Sequence, residues 1–134
     1  PAGGDYETSV DDAPGAFDPS NADNLNFLLT VPTEDASLID DAASLMHMMN
    51  ANTFTCGAFH VADANNVARL ADDLRTTIQA KRWMCGFPDK LVIVTVGQSV
   101  LSVYGNEELV NTFRDKLLAS YSAATAVYDE AINA

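Results

Sequence analysis

A chain of 134 residues, 48% of them apolar and 19% charged, is long enough for one domain with its own core and does not require a staple. A net charge of −12 sets it against phosphate backbones and anionic lipid, which disfavours nucleic-acid binding and adsorption through a basic patch. No apolar run reaches the roughly 18 residues of a spanning helix.

The charge is unevenly placed. Residues 1–68 hold eleven acidic and no basic side chains, and all seven Lys and Arg fall between Arg69 and Lys116. The chain opens Pro-Ala-Gly-Gly without a methionine, which suits a mature form whose leader has been removed. The acidity suits a secreted protein.

Residues 1–24 are rich in Gly, Pro, Asp, Ser and Asn, the composition of a flexible acidic tether. Their aspartates do not follow the calcium-loop pattern. A single α+β domain is expected over residues 25–134. Residues 25–31 (LNFLLTV) read as a short strand or extended segment closed by Pro32. Residues 33–50 read as a helix: Glu34 and Asp35 stand at its front, and Leu38, Ile39, Ala42, Leu45, Met46 and Met49 follow helical spacing.

Residues 53–61 (TFTCGAFHV) have the composition of a buried strand. Asp63 is a candidate N-cap for a helix whose stripe is Val67, Leu70, Leu74 and Ile78. Two β-branched runs, residues 91–96 and 100–104, flank Gly97-Gln98-Ser99 and predict a hairpin. Asn106, followed by Glu107 and Glu108, caps a last helix. Val110, Phe113, Leu117, Tyr121, Ala124, Tyr128 and Ile132 keep helical spacing, which predicts one helix of about 25 residues, roughly 38 Å long.

Cys56 and Cys85 are the only cysteines. The strand runs out about 26 Å and the helix returns about 30 Å, which brings Cys85 back towards Cys56. A disulfide between them implies an oxidising compartment; two buried free thiols are the alternative. No nucleophile motif surrounds either cysteine, no G-x-S-x-G is present, and the cysteines with His47 and His60 lack zinc-ligand spacing. No catalytic residue, metal ligand or cofactor is therefore assigned. The segment around Arg82, Trp83 and Phe87 clusters the single Trp with cations and a Phe, and is a candidate contact loop.

Residues 53–117, with their strand, striped helix and glycine-turn hairpin in TFTCGAFHVADANNVARLADDLRTTIQAKRW and FPDKLVIVTVGQSVLSVYGNEELVNTFRDKL, resemble an uncharacterised family of bacterial cell-surface lipoproteins of Gram-positive type, a domain of unknown function. The resemblance implies an extracellular, cell-surface location behind a lipidated cysteine upstream, and no activity.

The expected architecture is a two-layer α+β sandwich: a small, mainly antiparallel sheet with helices on one face, β-α-β-β-α and partly ferredoxin-like. The expected function is a non-catalytic binding or interaction module of the cell envelope, its partner a protein or small ligand at the cell surface. The alternatives are a thiol-based hydrolase using Cys and His, and a structural subunit that forms a homodimer through the C-terminal helix.

Overall fold

The computed structural model describes residues 2–3, 10–11, 15–47, 54–81 and 88–132, with backbone alone at 2–3, 10–11 and 47. Among the described residues eight strands form one antiparallel sheet: β1 (Ala2–Gly3), β2 (Val10–Asp11), β3 (Gly15–Phe17), β4 (Ile39–His47), β5 (Phe54–Val61), β6 (Lys90–Val96), β7 (Ser99–Gly105) and β8 (Ala124–Ala131). Their order is β2-β1-β4-β5-β7-β6-β8, with β3 also paired to β4. The α-helices of the described residues are α1 (Ala22–Leu29), α2 (Val67–Ala80) and α3 (Glu107–Ser120).

The α+β class, the antiparallel sheet and the sandwich of helix on sheet agree with the expectation. The striped helix is α2, and Leu70, Leu74 and Ile78 are fully buried against Phe59, Leu91, Ile93 and Val100. The hairpin joins β6 to β7 through a two-residue loop, with Val96 opposite Ser99. Gly97 supplies the positive φ of 57° that this loop needs. Gln98 then bonds backward, its carbonyl accepting from the Val61 N–H at 2.8 Å and its side chain donating to the Val61 carbonyl at 2.9 Å.

Four expectations are corrected. First, residues 15–24 belong to the domain, not to a tether. Gly15–Phe17 pairs with β4 and Phe17 is buried in the core. Second, residues 22–29 form a helix, where residues 25–31 were expected to be a strand or extended segment. Asn21 accepts from the Asn24 N–H at 3.1 Å as its cap, and Leu25 and Leu29, four apart, are fully buried. A short apolar run does not by itself separate the two states.

Third, residues 33–50 are not one helix. Thr33–Leu38 makes a short 3-10 helix, and the chain then enters β4. Ladders on both sides, to β3 and β5, outweigh the helix propensity of this Ala-, Leu- and Met-rich run. Fourth, the C-terminal helix ends at Ser120, and residues 124–131 pair with β6 as β8. The spacing of 3 and 4 that suggested a continuous helix reflects separate contacts. Val110, Phe113 and Leu117 meet the sheet through α3, whereas Tyr128 and Ile132 pack in the other layer.

With β8 in place the chain order β5-α2-β6-β7-α3-β8 is that of a ferredoxin-like unit, yet the spatial order differs. β4 already occupies the free side of β5, so β8 joins beyond β6. This decides where the helices lie. The crossovers β5-α2-β6 and β7-α3-β8 step the same way along the sheet, but β5 and β7 run antiparallel. Right-handed crossovers must then place α2 and α3 on opposite faces. Side-chain alternation agrees. On β6, Leu91 and Ile93 meet α2, while Val92 and Val94 face the layer of Val110, Phe113 and Leu117. The helices are therefore not confined to one face: α1 and α2 cover the front, and α3 lies on the reverse.

The edge strand β8 is tied to both helices by polar contacts. On the front, Arg75 donates to Glu130 at 2.6 and 3.2 Å and stacks 5.3 Å from the Tyr128 ring, whose hydroxyl donates to Asp72 at 2.5 Å. On the reverse, Asp129 lies 2.7 Å from Lys90 and 2.5 Å from Arg114. Burial raises the Asp129 pKa, but these two cations hold it below the usual range; Arg75 does the same for Glu130.

The Ser102 hydroxyl on β7 is fully buried and has no hydrogen-bond partner. Ser102→Ala is expected to be neutral or to stabilise the fold by up to about 1 kcal/mol, since it removes an unpaired polar group. Urea unfolding measures this; a loss of more than about 1 kcal/mol would show that the hydroxyl is paired in solution.

Candidate functional site

On the reverse face α3 covers the β6 and β7 region and leaves a groove over β4, β5 and β7. Its floor carries small side chains at paired positions, Ala43 opposite Ala58, with Leu101 next across on β7. Small residues keep the floor low beside the wall formed by Phe113, Leu117 and Tyr121, leaving a cavity of about 380 Å³. That is within the range of small-molecule sites. Tyr121, just past the end of α3, is 54% exposed at the mouth. The polar side chains of the lining are those of Ser99, Tyr121 and Cys56, with Ser44 contributing from its strand; among the described residues no charged side chain lines the groove.

Among the described residues Cys56 is the sequence-derived site residue found at the groove. It is a free, buried thiol, and burial pushes its pKa up to about 12. A nucleophilic cysteine needs the opposite shift. It also points into the α3 layer, whereas α2, which leads the chain towards Cys85, packs on the front. Cys85 itself, and Arg82, Trp83 and Phe87 of the candidate contact loop, lie outside the described residues, as does the side chain of His47. His60 is engaged elsewhere: its Nδ1 lies 2.6 Å from Asp40 Oδ1 on the surface. In the native protein Cys56 is expected to resist alkylation and to react only on unfolding, read by intact mass and peptide mapping. Rapid labelling without denaturant would contradict its burial.

A second cluster joins the layers at the far end of α2. Thr30, in the left-handed conformation that ends α1 (φ 60°), shares a hydrogen bond of 2.9 Å with the buried Tyr104 hydroxyl and accepts from Lys81 Nζ at 3.2 Å. Burial lowers the Lys81 pKa and raises that of Tyr104 to about 12. These groups satisfy one another, and the arrangement anchors α1 to α2 and the sheet.

The groove residues Ala43, Ala58, Leu101 and Tyr121 were not legible as a site. Ala43 fell in a predicted helix, Tyr121 in the middle of another, and the open face exists only because α3 crosses to the reverse side. Among the described residues no group of three or more His, Cys, Asp or Glu is placed to hold a metal ion, and no helix is long and apolar enough to cross a membrane. No protein-family model, curated protein or solved structure matches this chain.

Proposed function

We propose that this protein is a non-catalytic binding module of the bacterial cell envelope, and that its reverse-face groove takes a small, uncharged apolar ligand. The groove itself carries the reading: it is concave, sized for a small molecule, apolar, and lined by no charged group among the described residues. The thiol nearest to it is protonated well above neutral pH, which argues for binding over thiol chemistry at that position. The envelope location rests on the resemblance of residues 53–117 and on the acidic composition. Exposure of the protein to antibody on intact cells would support it, and recovery in the cytosol would overturn it.

The groove is tested with a neutral apolar dye, Nile red. The wild type is expected to give saturable, one-to-one fluorescence enhancement. Ala58→Phe, which projects a ring into the groove, is expected to weaken binding at least about tenfold, the equivalent of roughly 1.4 kcal/mol. Phe27→Ala, at an exposed position on α1, is expected to leave binding unchanged. No dye binding, or binding indifferent to Ala58→Phe, would remove the groove as the site.

A further inference from the structure

The 3-10 turn Thr33–Leu38 buries a carboxyl group that the fold does not satisfy. Asp35 is 0% exposed. Its Oδ1 lies 3.5 Å from Arg69 Nη2, the far limit of a hydrogen bond, and its Oδ2 has no partner. Arg69 is itself 54% exposed and also serves Asp73, whose Oδ2 is 3.7 Å from Arg69 Nε. One solvated cation thus faces two carboxyl groups. An ionised, buried, half-paired carboxylate is costly, and a proton relieves that cost.

We infer that Asp35, set against Arg69 and Asp73, acts as a proton-held latch between this turn and α2, closed when its own carboxyl carries a proton and loosened when that carboxyl ionises. The charged groups facing Asp35 are Arg69 and Asp73 from α2 and Glu34 from its own turn. The single ionisable group of α1, Asp23, sits in its first turn, and Asp40 at the start of β4 is taken by His60. Of these only the Arg69 cation favours ionisation of Asp35; the like charges of Asp73 and Glu34 oppose it.

Burial, and then the adjoining Asp73 carboxyl, push Asp35 up from 3.8 to about 7. A raised folded-state value means that the folded chain holds a proton the unfolded chain has released. The resulting stabilisation is complete below about pH 4 and is lost as pH climbs through about 7. Asp129 and Glu130 shift downward, so their contributions change at more acidic pH. Cys56 and Tyr104, at about 12, change well above the window.

The test follows the Asp35 carboxyl carbon by NMR between pH 3 and 9, and amide exchange in residues 33–38 at pH 5 and 8, corrected for intrinsic rates. Asp35 is expected to titrate near neutrality, and Asp73→Asn to lower that midpoint. Protection of the turn is expected to fall at least about tenfold from pH 5 to 8, a change of the order of one pKa unit. Asp35→Asn is expected to abolish that fall. An Asp35 midpoint near the ordinary carboxylate value, or turn protection independent of pH in the wild type, would overturn the latch; the wild-type titration stands even if a variant folds poorly.

Discussion

Gly57→Ala is expected to destabilise the fold by about 2 kcal/mol, within the range for forced overpacking. Gly57 lies in the centre of the sheet, paired with Ser44 on β4 and Ser102 on β7. A Cβ added there would stand 2.5 Å from Phe59 Cζ and 2.9 Å from its Cε2. The ring cannot swing aside, because Phe59 is fully buried among the residues of the front layer. The stiffer unfolded chain of an alanine returns up to about 1 kcal/mol, not enough to offset the clash. The clash belongs to one ring, so it has a second signature. Phe59→Leu alone should cost about 1–2 kcal/mol, and adding Gly57→Ala to it should cost little more. A double-mutant cycle by urea unfolding reads the coupling directly. Additive losses would mean that the glycine serves something other than the Phe59 ring.

What the amino-acid order reveals here is what neighbours in sequence decide among themselves. The α2 stripe, the Gly97-Gln98 hairpin and the Asn106 cap, which accepts from the Leu109 N–H at 3.2 Å, are local devices, and each is found where spacing and turn chemistry place it. β4 and β8 are decided by partners distant in the chain. Residues 39–47 are extended because β3 and β5 lie on either side, and 124–131 because β6 offers an open edge. Each looked helical because its apolar residues recur at 3 and 4, a spacing that contacts with two layers also produce. The groove was hidden for the same reason. Its floor is drawn from three strands, and its existence turns on which side of the sheet β8 joins. Cys56 was visible as a residue of interest, but its surroundings were not, since strand composition alone does not say which face a side chain meets.

The unequal cover of the two faces sets the last expectation. Leu74→Ala is expected to cost about 3–4 kcal/mol, and Leu117→Ala only about 1 kcal/mol. Leu74 is fully buried with Leu70 and Ile78 between α2 and the sheet, a site of the kind where deleting a leucine side chain leaves a cavity. On α3 only Val110 is buried, while Phe113 and Leu117 are partly exposed along the groove and Leu109 and Leu118 are exposed outright. Truncating Leu117 therefore widens a groove already open to water rather than emptying a closed core. The same asymmetry predicts that amides of α3 exchange through openings of lower free energy than those of α2, because local stability follows buried apolar contact. Urea unfolding of the two variants and native-state hydrogen exchange on the wild type test this together. Equal losses, with α3 as protected as α2, would mean that the reverse face is sealed in solution and that the groove wall is as rigid as the core. A small loss at Leu117 with early exchange along α3 would instead describe a wall able to adjust around a ligand, standing on a front layer that does not move.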